Sequence, residues 1–231
     1  MRAVGDGAWG IVSRVGWASG IGWGGGGCRR VPTSSGLGVG KGARMRHEVR
    51  LERDGVLLRP LRPEDAEVLH PHLDERMWAG MSAPLPPSPE ALAEEFCALI
   101  NRPDCLAFAV EEEGRVLGRT TFYDLVPGLR TEIGSTVYLR SAWGTRVNPV
   151  CKLLLFKHAF EELDVGRAAL RCDHRNLRSH RAIARLGARF EGTLRGYRRA
   201  ADGTVADVDY FSVLRAEWPR VRDGLERRLA G

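Results

Sequence analysis

The sequence predicts one α/β domain of about seven strands behind a glycine-rich leader, and three observations carry that expectation. With 43% hydrophobic and 28% charged residues, the 231-residue chain has the composition of a globular protein long enough to bury a proper core. From Gly55 onward, strand-like and helix-like patterns follow in the order β-α-α-β-β-β-α-β-α-β-β, with one more helix at the end. Residues 1–44 differ in kind: they hold 14 of the 28 glycines and three of the six tryptophans. "GIGWGGGGC" cannot sustain a helix or strand, because each glycine loses backbone entropy on ordering. Residues 1–44 therefore read as a disordered low-complexity tail, and residues 45–231 as the folded domain, with Met45 as its beginning.

"GVLLRPL" (Gly55–Leu61) reads as the first strand and "RPEDAEVLHPHL" as a helix with Pro63 in its first turn. In "PLPPSPEALAEEFCALI" a proline-rich loop ends at Ser88, which can cap a helix whose first position suits Pro89. "LAFAVEEEG" and "RVLGRTTFYDL" form a hairpin across Glu113-Gly114, and "TEIGSTVYL" is the fourth strand. The helix from Pro149 to Leu163 lines up Val150, Leu153, Phe156, Phe160 and Leu163 at spacings of three and four. "RAALRCD" is a strand, and "NLRSHRAIARLG" a helix closed by Gly187. "FEGTLRGY" and "DVDYFSVL" pair around Asp202-Gly203, and "RAEWPRVRDGLERRL" is the last helix.

Charge excludes little by itself, but its distribution helps. Arg2, Arg14, Arg29, Arg30, Lys41 and Arg44 face only Asp6 in the leader, a net +5 out of the chain's +6. The body is nearly neutral, so no nucleic-acid partner is expected. Cys28, Cys97, Cys105, Cys151 and Cys172 are scattered, with no C-x-x-C and no H-E-x-x-H; they read as packing residues, with no metal site. No apolar run reaches 18 residues, so no membrane span is expected and a reducing, cytoplasmic setting is the default.

Between the fourth strand and the following helix lies "AWGTRVNP", a strand-to-helix loop of the kind that holds phosphates on free N–H groups at a helix start. Together with Glu132-Ile133-Gly134, with Asn176-x-x-Ser179 and with "RLGARFEGTLR", it resembles the GNAT acyltransferases, most closely their RimJ/RimL-like branch. The resemblance spans about residues 55–215. It implies the GNAT fold, a mixed twisted sheet with helices on both faces, splayed near Leu139 to admit CoA. It also implies acetyl-CoA as cosubstrate, a primary amine (a protein N-terminus or a small molecule) as acceptor, and no metal; a homodimer is compatible with it.

By the same resemblance, Gly144, Thr145, Arg146, Val147 and Asn148 would bind the pyrophosphate, and the backbone of Val137, Tyr138 and Leu139 the pantetheine arm. The family's loop pattern, Gln/Arg-x-x-Gly-x-Gly/Ala, is altered here to Trp143, Arg146 and Asn148. If Arg146 needs positive φ, its Cβ adds about 1 kcal/mol of strain, whereas its guanidinium could clasp the pyrophosphate or stand in solvent. Asn176 is a helix cap or a pantetheine contact, and Ser179 a proton donor to the leaving thiolate. Arg178, Arg185 and their neighbours make a basic helix that is either solvated or turned to CoA phosphates. Glu132 is a general base or a strand-end ion pair. Strict alternation puts Tyr138 on Glu132's side of the strand, as a cleft neighbour or a packing residue. The alternative to an enzyme is a GNAT-shaped binding protein without turnover.

Overall fold

The computed structural model describes residues 47–230, so the expected tail of residues 1–44 lies outside the described residues. Eight strands form one sheet: β1 (Leu51–Arg53), β2 (Val56–Pro60), β3 (Leu106–Glu112), β4 (Arg115–Val126), β5 (Arg130–Tyr138), β6 (Arg167–Asp173), β7 (Arg189–Arg199) and β8 (Val205–Leu214). Their spatial order is β1-β2-β3-β4-β5-β6-β8-β7, and every pairing is antiparallel except β5 with β6. The eighth strand relative to the expected seven is β1, three residues that pair only with β2. Six α-helices accompany the sheet: α1 (Asp65–Leu69), α2 (Glu75–Trp78), α3 (Pro89–Ile100), α4 (Val147–Lys157), α5 (Leu177–Ala184) and α6 (Trp218–Ala230).

Local chemistry accounts for many of these boundaries. Ser88 Oγ accepts from Ala91 N–H at 3.3 Å with Pro89 in the first turn, as expected for α3. Glu113 (φ 51°) and Gly114 (φ 75°) turn the β3–β4 hairpin. The first expected helix is broken up: α1 covers five residues, a 3₁₀ turn follows at His70–His72, and Asp74 caps a new short helix, α2, by accepting from Met77 N–H at 2.9 Å. α4 continues as a π turn through His158–Glu162, then ends.

Apolar side chains fill both faces of the sheet. Phe122, Ile133, Leu155, Phe156 and Phe211 pack between the sheet and α4. Trp78, Leu92, Phe96, Ala109 and Val137 pack between the sheet and α1–α3. Strict alternation would put Ile133 and Val137 on one side of β5; instead they face opposite cores. The cause is a bulge. Arg119 pairs with Val137 and Thr121 with Gly134, so β5 holds one extra residue there, and Ser135 takes φ 48°.

Candidate functional site

The parallel pairing of β5 with β6 stops at Glu132–Ala169. Beyond it the two strands diverge and leave a cleft of about 270 Å³, lined by Gly134–Tyr138 of β5 and Leu170–Asp173 of β6. The first turn of α4 and the first turns of α5 close its sides, and Met77, Gly80 and Met81 roof it. Arg198 of β7 fastens that roof, donating to Met81 O at 2.8 Å and to Gly80 O at 2.9 Å. Asn176 lies close enough to Gly80 that a Cβ there would meet its Nδ2 at 3.2 Å.

The bulge decides what the cleft sees. Arg119, only 1% exposed, donates to Ser135 Oγ at 2.5 Å and to Glu95 at 2.6 Å, and its guanidinium lies between Trp78 and Phe96. With the register shifted at Ser135, the Tyr138 ring packs on the α4 side against the core beside Cys151, not on Glu132's side as alternation implied. Burial raises the Tyr138 hydroxyl well above its ordinary value. Its role is packing.

Glu132 is 6% exposed and sits on the other face, where Oε1 accepts from Tyr123 Oη and pairs with Arg171 Nε at 2.8 Å. Burial holds its carboxyl above the usual range against the opposing pull of Arg171 and Tyr123. It does not itself line the cleft, but Gly134 does, and a Cβ at Gly134 would meet Tyr123 Oη at 2.7 Å. Arg171 also lines the cleft; it donates to Tyr210 Oη at 2.8 Å, with Tyr123, Tyr197 and Tyr210 rings around its guanidinium. Both expectations for Glu132 thus hold part of the geometry: it is an ion-paired carboxylate one side chain behind the cleft wall.

At the loop, the positive φ belongs to Gly144 (76°), while Arg146 is in the ordinary right-handed region (φ −70°) as N-cap of α4. The expected strain at Arg146 is therefore absent. Nor does its side chain enter the cleft: it pairs with Glu112 at 3.5 Å and is half exposed. Thr145 Oγ donates to Ala142 O at 2.9 Å and accepts from Val147 N–H at 3.2 Å, which makes Thr145 the local cap and occupies the Val147 donor. Gly144, Thr145 and Asn148 line the cleft; Val147 is buried in the core. On β5, Val137 and Tyr138 line it, whereas the Leu139 N–H turns back to β4 and donates to Leu117 O at 2.8 Å. Trp143, in place of Gln or Arg, has its own task. Its indole donates to Tyr138 O at 2.9 Å, and its face carries Arg178 at 3.8 Å and Arg140 at 5.0 Å.

Asn176 caps α5, accepting from Ser179 N–H at 3.0 Å, and still lines the cleft; Ser179 lines it too. Arg178, Arg185 and Arg228 line the cleft with no carboxylate at ion-pair distance among the described residues. Asp173, the one carboxylate in the lining among the described residues, is taken by Arg175 at 2.8 Å. Sequence reasoning missed Arg171, Arg228 and Lys152, the last a buried lysine on α4 that also lines the cleft. The packing role expected of the cysteines fits their surroundings: burial pushes the Cys105 and Cys151 thiols up to about 11 and Cys172 up to about 12, far from a reactive thiolate.

A cleft that is polar at one end, cationic without matching carboxylates and flanked by a helix start is suited to a long anionic ligand. Comparison with known proteins agrees. A family profile described as "Acetyltransferase (GNAT) domain" matches residues 56–189. An assigned acetyltransferase of T. thermophilus is 36% identical over 78% of this chain and 96% of its own, with a TM-score of 0.73. A GCN5-related N-acetyltransferase from Brucella melitensis is 25% identical, covering 78% of this chain and 85% of its own at a TM-score of 0.72. Mycobacterium smegmatis RimJ, solved with a CoA disulfide, shares the fold at 22% identity and a TM-score of 0.64, over 78% of this chain and 93% of its own. No curated protein matches the chain. The diverging β5 and β6, the family profile over more than half the sequence and the 36% identical structure agree: the chain belongs to the GNAT family of acyl-CoA-dependent N-acyltransferases.

Proposed function

We propose that this enzyme, as a RimJ/RimL-like member of the family, moves an acetyl group from acetyl-CoA to a primary amine. The observation that carries the reading is the cleft between β5 and β6, with Arg178, Arg185 and Arg228 unpaired along it and the α4 start beside Gly144 and Thr145. Three guanidiniums without carboxylates suit the phosphates of CoA, and the free edge of β5 at Val137 suits the amide-bearing pantetheine arm.

The amine nitrogen attacks the thioester carbonyl carbon, the C–S bond breaks, and the amide forms directly. Glu132 takes the amine's proton, relayed past Gly134 by water or by the Tyr123 hydroxyl that Glu132 holds. Its raised proton affinity suits a base better than an ordinary surface carboxylate would. Ser179 returns a proton to the departing thiolate. The acceptor enters on the side of Arg171, Tyr197 and Tyr210, under the Gly80–Met81 roof. Buried free thiols at Cys105, Cys151 and Cys172 suit a reducing, cytoplasmic setting. The loop departures that favoured a binding protein without turnover lose their force, since Arg146 adopts an unstrained backbone. Thiol release from acetyl-CoA across a panel of amines and N-terminal peptides tests the reading; no release with any amine, and no binding of CoA, would overturn it.

A further inference from the structure

Lys152 is 5% exposed, and no carboxylate lies within ion-pair distance of it among the described residues. Its Nζ meets only two hydroxyls, Thr136 Oγ1 at 3.1 Å and Thr120 Oγ1 at 3.5 Å. Those two hydroxyls also bond each other at 2.8 Å, so their acceptor capacity is already shared. An ammonium has three N–H donors, and a buried charge with incomplete partners is destabilising unless something else supplies an acceptor. Burial accordingly pulls Lys152 down to about 8. A chain that needed this position only for packing would place an apolar residue there, as it does at Val150, Leu153, Leu154 and Leu155 on the same helix.

The position along the cleft says what the missing acceptor is. Asn148 lines the cleft in the first turn of α4, and Lys152, four residues on, follows it on the same face about 6 Å deeper. Helical side chains lean toward the N-terminus, so the Lys152 stem runs back along the ligand's path rather than away from it. Thr136, its nearer partner, belongs to the bulged stretch of β5 that walls the same cleft. A ligand whose phosphates sit at the α4 start must therefore pass Lys152 on its way to Gly134 and Arg171. The part that passes is not the phosphates but the arm between them and the reacting carbon.

We propose that Lys152 is a donor-binding residue whose ammonium hydrogen-bonds a carbonyl oxygen of the acyl-pantetheine arm, completing the set that Thr120 and Thr136 leave open. The inference rests on the acyl-CoA reading above and deepens it: the arm is recognised by a buried cation as well as by the β5 edge. The test compares acetyl-CoA with 3′-phospho-ADP, the nucleotide half that lacks the arm, by calorimetry on the full chain. Lys152→Met, near in shape and without N–H, should bind acetyl-CoA about tenfold more weakly, about 1.4 kcal/mol, while binding 3′-phospho-ADP as the wild type does. Lys152→Gln, which retains an N–H donor, should recover part of the loss. Unchanged nucleotide binding also certifies that the Met variant is folded. If Lys152→Met binds acetyl-CoA like the wild type, or loses both ligands equally, the assignment fails while the acyl-CoA reading stands. If the wild type binds neither ligand, both fall together.

Discussion

Replacing Glu132 by Gln separates the carboxylate's chemistry from its structural duty, because Gln keeps the shape and removes the charge. In the wild type Oε1 receives the Tyr123 hydroxyl and the Arg171 Nε–H, the latter at 2.8 Å. Breaking a fully buried pair by removing one charge costs about 3–5 kcal/mol. Arg171, however, is 27% exposed at its side chain and keeps the Tyr210 hydroxyl, and Gln still offers an acceptor oxygen, so about 1–2 kcal/mol is the reasonable loss. Stability should also lose a pH dependence. Burial raises the folded-state pKa of Glu132, so its contribution favours folding below about pH 4.3, the unfolded value, and is lost as pH rises through the raised one. That decline should vanish in the Gln variant. Thiol-release kinetics should show kcat falling by about 10²–10⁴ with acetyl-CoA affinity unchanged, the pattern of an interaction made only in the transition state. A variant with lower thermal stability but wild-type kcat would refute the base assignment and leave Glu132 as an ion-paired strap for Arg171.

Arg146→Gly should leave CoA affinity within about twofold, since Arg146 is half exposed and pairs with Glu112; a loss of tenfold or more in calorimetry would return the guanidinium to the pyrophosphate. Asn176→Ala should weaken CoA by about 1–2 kcal/mol and, separately, lower thermal stability through the lost α5 cap by about 0.5–2 kcal/mol, and undiminished CoA affinity would make Asn176 a cap alone. A chain beginning at Met45 should keep both melting temperature and CoA affinity, because residues 1–44 carry no hydrophobic periodicity; a large drop in either would make those residues part of the fold.

Features written in local chemistry were legible: Ser88-Pro89 at the head of α3, Glu113-Gly114 in the hairpin and Gly187 after α5 (φ 89°). The Asn176/Ser179 pair and Gly144-Thr145 were legible as well, and both border the cleft. The bulge was not. Ser135 carries no mark of a positive φ, and what holds it is Arg119, sixteen residues away on the neighbouring strand. One unpredicted residue of register then moved Tyr138 across the sheet. Lys152 was illegible for the opposite reason: at the edge of an apolar stripe a lysine reads as a solvated position, and only the diverging strands put it indoors. Arg146 misled because family position implied a backbone angle that the chain assigns to Gly144, two residues earlier.

The two hydrogen bonds from Arg198 to Gly80 and Met81 join segments about 117 residues apart in the chain, a strand of the C-terminal hairpin and the loop after α2. Backbone carbonyls are the recipients, so the tether is blind to which side chains the loop displays. Met77 and Met81 could be exchanged to admit a different acceptor without loosening the span, whereas grafting the whole loop at another length would leave a guanidinium without its carbonyls. Re-engineering this enzyme's acceptor choice is therefore a matter of redecorating a fixed lintel, with β7 and residues 79–81 carried across as one cassette whenever the lintel itself is changed.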